Sequence, residues 1–293
     1  MSEPVLAGPL VAESPPQVSA RRRAVQRFVG NRLALVSAIY IGVLAVVAAL
    51  ATAIAPYDYA AQDITKALQP PRSGHLLGTD EFGRDVLSRM IAGSRVSLTV
   101  GVLSVLLVLL VGVTIGLVAG YLRRWDGPLM RVVDIFMSIP DFMLLLLLIA
   151  LFGSGSWKIV IFIGLSAWMS TARLVRGQVL RLREMEFVMA SECLGARPGR
   201  VMRKDLLRNV LDVIMVQATL SISLVILLES GLSYLGLGAQ PPTPSWGNML
   251  AEGRDFLSQA WWIATFPGLA IFCTVMAFNF VGDGIRDALD VRM

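Results

Sequence analysis

Residues 183–209 read REMEFVMASECLGARPGRVMRKDLLRN, a charged stretch between two long apolar segments. Phe187, Ala190 and Leu194 recur at helical spacing, and Gly195 is typical of the position just beyond a helix end. The proline three residues later suits the first turn of a second helix, where its missing N–H leaves no hydrogen bond unmade. The pattern predicts two short helices around a turn, shaped to press on another protein. We call residues 183–209 the elbow segment.

The composition of the whole chain indicates a membrane protein. Of its 293 residues, 55% are hydrophobic and only 16% are charged, and the mean hydropathy is +0.67. These values exclude a soluble domain with a polar shell. The basic residues behind the net charge of +5 fall mainly in segments expected on one side of the membrane. This distribution reflects membrane orientation, so we expect no nucleic-acid partner. Cys193 lies in the elbow segment and Cys273 in an apolar stretch, which excludes a disulfide framework.

Six apolar stretches are expected to cross the membrane as helices. The first has 23 residues without a charge, and about 20 residues suffice to span the hydrocarbon core. The expected spans are residues 33–55, 96–120, 135–153, 159–172, 210–237 and 261–281. The predicted fold class is an all-α integral membrane protein with six transmembrane helices.

These spans divide the chain into five parts. They are a cytoplasmic N-terminal tail with a juxtamembrane helix at 1–32, the first transmembrane helix at 33–55, an external segment at 56–95, a five-helix core with the elbow segment at 96–282, and a cytoplasmic C-terminus at 283–293. The first 20 residues contain four prolines and no apolar periodicity, which predicts a disordered tail. Val25, Phe28 and Val29 indicate either a short helix along the inner membrane surface or a merely positive flank.

The distribution of basic residues predicts the orientation. With both termini inside, the cytoplasmic segments hold 19 lysines and arginines and the external segments hold 7. This asymmetry agrees with the positive-inside rule and places the elbow segment in the cytoplasm.

Small and charged residues predict how the helices pack. Gly112, Gly116 and Gly120 fall four apart on one helical face, where the backbone of a neighbouring helix can approach closely. Arg131 and Asp134 are three apart and are expected to pair.

Two carboxylates lie within expected spans. Asp141 follows Pro140, which is expected to kink its helix, and a carboxylate there is costly in lipid. Asp141 should therefore face protein or a water-filled path, and a hydrogen bond that fixes the kink is the alternative role. Glu229 must be paired, protonated or facing a pore. It is a candidate for lining the pathway, with a packing or hydrogen-bonding role as the alternative.

Two polar stretches are expected outside the membrane. Residues 76–98 read LLGTDEFGRDVLSRMIAGSRVSL, in which Asp80, Arg84 and Asp85 are expected to cross-pair as exposed scaffolding. Residues 238–254 read GAQPPTPSWGNMLAEGR, and their prolines predict a firm loop. Such a loop would either meet an external binding protein or plug the outer mouth.

These stretches resemble permease subunits of ABC importers, above all the second permease of the dipeptide, oligopeptide and nickel uptake systems. Residues 76–98 match a signature of these permeases, Gly-Thr-Asp, two residues, Gly-Arg-Asp, then Arg and Gly-x-Arg-x-Ser, and residues 238–254 are another match. The elbow segment is similar to their cytoplasmic loop, with Met189, Ala190 and Ser191 before the glycine. The glutamate, second alanine, histidine and proline of the family's loop are replaced. The resemblance covers almost the whole chain beyond the first twenty residues.

The resemblance implies a type I ABC importer permease fold and a non-catalytic pore subunit for di- and oligopeptides. It implies four kinds of partner: a homologous permease that forms a heterodimer, two cytoplasmic ATPases, an external substrate-binding protein and membrane lipid. ATP and Mg would be bound by the ATPases, with no cofactor or metal in this chain. The location implied is the bacterial inner membrane. The residues implied to couple to the ATPases are Glu186, Ala190, Ser191, Gly195, Arg203 and Asn209.

The chain lacks the motifs of an energy source or a catalytic centre. It has no GxxxxGK[ST] phosphate loop, and no histidine-containing triad can be assembled because His75 is its only histidine. Two alternatives remain open. The same kind of permease would carry nickel or glutathione, although no Met or His cluster in the expected pathway supports free nickel. A stand-alone proton-coupled carrier would use Glu229 or Asp141, but no inverted repeat is visible.

Overall fold

The structure of the chain is a computed structural model that describes residues 20–289, and the side chains of residues 25–289. The disordered tail expected for the first 20 residues falls almost entirely outside the described residues, as do the last four residues of the expected cytoplasmic C-terminus.

The described chain is helical. Its helices are α1 (Ala20–Gly30), α2 (Arg32–Ala49), α3 (Ala51–Ile54), α4 (Val86–Tyr121), α5 (Arg123–Met137), α6 (Asp141–Phe152), α7 (Ser156–Leu182), α8 (Glu186–Cys193), α9 (Pro198–Arg200), α10 (Leu207–Tyr234), α11 (Trp246–Arg254) and α12 (Trp262–Leu289). A 3₁₀ turn covers Ile64–Lys66, and a π-helical turn at Val201–Leu206 joins α9 to α10. Within residues 20–289 the only β interactions are two isolated bridges in the polar segment before α4.

Within the part of the chain that the structure describes, five helical segments are long and apolar enough to cross a membrane: α2, α4, α7, α12, and α9 with α10 as one unit. The pair α5 and α6 meets the same criterion together but is bent by 80° at its break. Counting this pair as one broken span gives six, so the predicted all-α membrane fold is confirmed.

Helix α4 begins at Val86, ten residues before the span expected at 96–120. The reason is a local cap, because the Asp85 carboxylate accepts a hydrogen bond from the backbone N–H of Ser88 at 2.8 Å. The end of the expected external segment 56–95 is therefore the first three turns of a 36-residue helix.

The third expected span, 135–153, is not one helix. Helix α5 ends at Met137 and α6 starts at Asp141, since Pro140 lacks an N–H and disfavours helical geometry at the residue before it.

The fourth span is longer than the expected 159–172, because α7 has 27 residues and ends at Leu182. Lys158 caps the preceding helix by donating from its ammonium group to the carbonyl oxygen of Phe152 at 2.7 Å.

The glycines of α4 lie against α7, as their spacing predicts. A Cβ at Gly112 would lie 2.8 Å from the Thr171 Cβ, and one at Gly116 would lie 2.7 Å from the carbonyl oxygen of Ala172. Further along, a Cβ at Gly120 would lie 2.7 Å from the Val179 Cβ. The two helices run in the same direction and touch through their backbones, which makes this a close helix crossing.

Two ion pairs hold α5 to α7. The expected pair of Asp134 with Arg131 is wrong, because the Asp134 carboxylate accepts from Arg173 at 2.6 Å instead. A second carboxylate, Asp126, takes both a 2.8 Å bond from Nη2 and a bond from Nε of Arg176. Asp134 and Asp126 pair with arginines of α7 because α5 packs along that helix.

The firm external loop expected over residues 238–254 contains a helix, α11. Its N-terminus is a capping box, in which the Ser245 hydroxyl accepts from the Asn248 N–H and the Asn248 side chain accepts from the Ser245 N–H. Trp246 is buried and donates from its indole N–H to the carbonyl oxygen of Met90 at 3.1 Å. The segment is therefore folded back onto the bundle.

The N-terminal helix packs on the last one. Helix α12 runs through Pro267 and reaches Leu289, beyond the expected end at residue 281. A Cβ at Gly284 would lie 2.3 Å from the Ala34 Cβ and 3.2 Å from the Phe28 ring, so α1 and α2 meet the C-terminal turns of α12. The short helix expected around Val25 and Phe28 is present as α1.

Candidate coupling site

The elbow segment has the predicted form of two helices around a turn. Helix α8 ends at Cys193, and Gly195 follows with a φ of +76°. This left-handed conformation favours glycine because it has no Cβ. Pro198 then opens α9, as its fixed φ favours.

The elbow segment is anchored by a small apolar core. Val188 is the only buried residue of α8. Together with Val201 and Leu206 from the second arm it packs on Val179 of α7 and Val210 of α10. The elbow therefore shares one core with the ends of α7 and α10.

Two polar contacts join the elbow segment to the end of α4. The Arg183 guanidinium donates from Nη1 to the carbonyl oxygen of Gly120 at 3.0 Å. The Tyr121 hydroxyl donates to the Glu192 carboxylate at 2.8 Å. Helix α8 is therefore joined to α4 as well as to α7 and α10.

The remaining face of the elbow segment is apolar and exposed. Met185, Phe187 and Met189 are each about half exposed, and Leu194 at the tip is 88% exposed. The basic residues around this face, all exposed, are Arg197, Arg200, Arg203 and Lys204. Such a patch, apolar with a charged rim, is typical of a surface that meets another protein.

The residues expected to couple are spread along both arms. Glu186 begins α8 and is exposed, Ala190 is exposed and Ser191 is half-buried on the same helix. Arg203 is exposed in the π-helical turn. Asn209 is exposed too, but its side-chain amide donates to the carbonyl oxygen of Asp205 at 2.6 Å, which stabilises its own helix.

Asp141 lies at the break between α5 and α6 and is exposed on the surface of this chain. Phe136, five residues earlier, packs edge-on against Trp168 near the middle of α7, with ring centroids 6.3 Å apart. Asp141 is therefore far from the ends of α7. Whether a water-filled path or another protein covers it stays a prediction.

Glu229 is almost completely buried between α10, α4 and the segment before α11. Its carboxylate accepts hydrogen bonds from the hydroxyls of Ser233 at 2.7 Å and Ser97 at 3.2 Å. In this structure Glu229 therefore has the hydrogen-bonding role that the sequence analysis gave as the alternative. Its role in the pathway stays a prediction.

A buried ionic cluster closes the opposite end of the bundle. Arg89 donates from Nη1 to Asp80 at 2.6 Å and to Glu252 at 2.7 Å. Arg84 donates from Nε to Asp80 at 2.6 Å and from Nη2 to Glu252 at 3.0 Å. The expected pairing of Asp80 with Arg84 is confirmed. The expectation that it is exposed is wrong, because Asp80, Arg84 and Arg89 are buried under α11, which carries Glu252. We call these four residues the ionic cluster.

Asp85 does not belong to the ionic cluster. It contacts His75, whose Nδ1 lies 2.9 Å from the Asp85 Oδ1. Glu81 lies at the rim of the ionic cluster, and burial raises the pKa of its carboxyl group. Carboxylate oxygens of Asp80, Glu81 and Glu252 lie within 4.8 Å of one another, a spacing a metal ion would accept. The two guanidinium groups already supply the positive charge that these carboxylates need.

Comparison with known proteins decides the family. Residues 112–293 match the family described as binding-protein-dependent transport system inner membrane component. The chain belongs to this family. Residues 19–71 also match the N-terminal TM domain of oligopeptide transport permease C.

Relatives of this transport system component have similar length. Dipeptide transport system permease protein DppC of Alkalihalophilus pseudofirmus is 40% identical over 277 residues, 94% of this chain and 91% of that protein. Oligopeptide transport system permease protein OppC of Bacillus subtilis is 38% identical over 296 residues, 100% and 97% of the two chains. Glutathione transport system permease protein GsiD of Pectobacterium atrosepticum is 37% identical over 270 residues, 92% and 90%. The resemblance proposed from the sequence motifs is confirmed.

A solved structure shares the fold of this inner membrane component. A chain of the MetNI methionine ABC transporter in an inward facing conformation superposes with a TM-score of 0.56 at 20% identity. The match covers 69% of this chain and 96% of that one. The expected ABC importer permease fold is confirmed.

Several residues that hold this transport component together were not predicted from the sequence. Nothing in the periodicity of α8 singles out Val188, rather than Phe187, as the buried anchor. The contacts of Arg183 and Tyr121 join residues 63 and 71 positions apart, beyond any local signal. Glu252 was missed too, although it stands in the quoted motif, because its partners lie about 165 residues earlier.

Proposed function

We propose that this chain is a non-catalytic pore subunit of an ATP-driven importer of di- and oligopeptides. In the proposed complex it pairs with a homologous permease and receives peptides from an external binding protein. Two cytoplasmic ATPases, which hold ATP and Mg, drive it. The relatives that transport dipeptides and oligopeptides support this substrate class.

The observation that carries the proposal is the exposed apolar tip on an anchored base. Leu194 and Phe187 point away from the bundle, while Val188, one residue from Phe187, is fully buried in it. An exposed leucine at the end of a rigid elbow has no packing role in this chain. It fits a pocket on a partner that binds and releases nucleotide.

The anchoring of the elbow segment explains how a motor would move the pore. The segment is tied to α4 by hydrogen bonds and to α7 and α10 by a shared core. Well-packed cores shift between discrete arrangements instead of deforming continuously. When the partner ATPases approach or separate, the elbow segment would therefore carry the ends of these helices with it and alternate the access of the pore.

The charge distribution supports the orientation in this proposal. Residues 173–208 hold nine basic and four acidic residues, which favours retention on the cytoplasmic side. Both termini would then also be cytoplasmic, in a multi-pass protein of the bacterial inner membrane.

Transport in proteoliposomes tests the energy source. The complete complex is reconstituted with its external binding protein, and uptake of a radiolabelled dipeptide is measured with ATP inside or with a proton gradient alone. We expect uptake with ATP and none with the gradient, and an ATPase disabled in its active site should abolish it. Uptake driven by the proton gradient alone would overturn the proposal in favour of a stand-alone carrier.

Variants at the tip test the contact itself. Leu194→Asp should remove the ATPases from the purified complex while membrane insertion stays intact. Gly195→Val should weaken ATPase binding too, because valine strains the positive φ although nothing lies within 4 Å of a Cβ there. Leu257→Asp is the matched control, since Leu257 is also exposed but lies at the opposite end of the bundle. Normal coupled transport by the Leu194→Asp complex would contradict the proposed lever.

Glutathione is the second candidate substrate, because the GsiD relative is nearly as similar as the peptide permeases. Competition separates the candidates: unlabelled glutathione and an ordinary tripeptide are each added against the labelled dipeptide. Competition by the tripeptide alone supports the peptide importer, whereas competition by glutathione alone supports the second candidate.

A further inference from the structure

A cavity of about 570 Å³ opens between α7, α10 and α12 at the end of the bundle that carries the elbow segment. Its polar lining consists of Gln178 and Arg181 from α7, Asp212 and Gln217 from α10, and Arg286 from α12. We call this cavity the vestibule. Its size is within the range of small-molecule sites.

The charged groups of the vestibule have no ion-pair partner among the described residues 25–289. Asp212 and Arg286 are exposed, and neither forms an ion pair with any residue in the part of the chain that the structure describes. Among the described residues, Arg181 donates to the side-chain oxygen of Gln178, which is a neutral acceptor. The three side chains can therefore pair with the charges of a ligand that enters the cavity.

Polar side chains continue from the vestibule into the bundle. On α7, exposed Ser170 lies eight residues before Gln178, on the same face of the helix. On α10, the Gln217 amide donates to the hydroxyl of Ser221, one turn deeper, at 3.3 Å. Hydroxyl groups therefore lie about one and two helical turns deeper in the bundle than the vestibule, although they do not line it.

The mixture of charges selects a class of ligand. Two guanidinium groups would attract a carboxylate or a phosphate, but Asp212 in the same cavity disfavours a ligand that is only anionic. A metal ion or a polyamine is disfavoured by the two arginines. A short peptide carries a carboxylate, an ammonium group and amide bonds, which the glutamine side chains can meet as donors and acceptors.

We propose that the vestibule binds the free termini of a short peptide on its way out of the pore. The peptide carboxylate contacts Arg181 and Arg286, and its ammonium group contacts Asp212. This assignment rests on the peptide importer proposed above and adds to it a site, at the mouth of the pore, that recognises both termini.

Direct binding to the assembled complex tests the assignment without the external binding protein, which selects peptides on its own. The complex of permeases and ATPases is placed in nanodiscs and titrated with Ala-Phe, N-acetyl-Ala-Phe and Ala-Phe amide. The wild-type complex should bind Ala-Phe about fivefold more tightly than either capped form, as expected for exposed charge pairs. In Asp212→Asn, Ala-Phe and its N-acetyl form should bind equally. In the double variant Arg181→Gln, Arg286→Gln, Ala-Phe and its amide should bind equally.

The control variants are Asp287→Asn and Arg123→Gln. Asp287 is the exposed neighbour of Arg286 but does not line the vestibule, and Arg123 is exposed on α5. Both should keep the wild-type preference for free termini. The assignment is overturned if the vestibule variants bind all three peptides as the wild type does, if they weaken all three equally, or if the wild type binds no peptide.

Uptake by the same complexes separates this inference from the function on which it rests. ATP-driven peptide uptake together with unchanged binding by the vestibule variants overturns only the vestibule assignment. Absence of uptake for every peptide overturns the proposed importer itself.

Discussion

Replacing Arg89 by methionine should destabilise the fold strongly, and removing Glu252 as well should restore part of the loss. Arg89 is buried and contacts two carboxylates, those of Asp80 and Glu252, at 2.6 and 2.7 Å. A pair of unit charges about 4 Å apart attracts by about 4 kcal/mol at an effective dielectric constant of about 20.

The net loss is smaller because two terms offset the attraction. Arg89 no longer needs to be desolvated, and Arg84 still donates to both carboxylates. We expect Arg89→Met to lower the free energy of unfolding by about 3 kcal/mol. Glu252→Gln should cost about 1 kcal/mol, because the Glu252 side chain is 22% exposed and an amide oxygen still accepts. In the double variant the charges of Asp80 and Arg84 neutralise each other, so it should lose about 2 kcal/mol. This loss is smaller than the sum of the two single losses by about 2 kcal/mol, which is the coupling energy.

The assay is equilibrium denaturation of the purified complex, followed by tryptophan fluorescence. Trp262 is a suitable reporter, because it is buried beside the ionic cluster and donates to the carbonyl oxygen of Thr79 at 3.1 Å. Arg254→Gln is the control, because Arg254 is an exposed arginine on the same helix as Glu252, and the variant should leave the stability essentially unchanged. A double variant that loses the full sum of the two single losses would refute the reasoning.

Two further predictions concern helix packing. Gly116→Ala should cost about 2 kcal/mol, because the new methyl group would overlap the α7 backbone. Gly127→Ala is the control: its methyl group meets nothing within 4 Å, so the variant should be neutral or slightly stabilising. Chemical denaturation compares the two variants, and equal stabilities would contradict the close crossing. Trp246→Phe removes the buried hydrogen bond to the carbonyl oxygen of Met90 and leaves a gap where the larger ring packed, so it should cost about 1–3 kcal/mol. Trp261→Phe at an exposed site should cost less than about 0.5 kcal/mol. Thermal denaturation tests both variants, and an unaffected Trp246→Phe variant would count against the prediction.

Local signals in the sequence predict much of the elbow segment. Gly195 and Pro198 act through their own backbone preferences, so a helix end and a helix start could be placed without knowing the fold. The glycine spacing in α4 likewise predicts a close helix neighbour, although not that α7 would be the one. These features depend on residues only a few positions apart.

Features that depend on distant residues were not predictable in the same way. The local sequence predicts that Asp80 and Arg84 form an exposed pair, but α11 covers them in the folded chain. The prolines before α11 predict a loop, although a helix begins after its cap at Ser245. Asp134 has a sequence neighbour of opposite charge, but the packing of α5 on α7 brings Arg173 closer. In each case tertiary packing decides between local alternatives of similar energy.

The most direct test of the account is the accessibility of Cys193, the exposed cysteine at the end of α8. In a Cys273→Ser background, a membrane-impermeant maleimide is applied to right-side-out and inside-out membrane vesicles that contain the permeases with or without the ATPases. The account predicts labelling of Cys193 only in inside-out vesicles, and protection there when the ATPases are bound. Labelling from the outer side, or equal labelling with and without the ATPases, would contradict it.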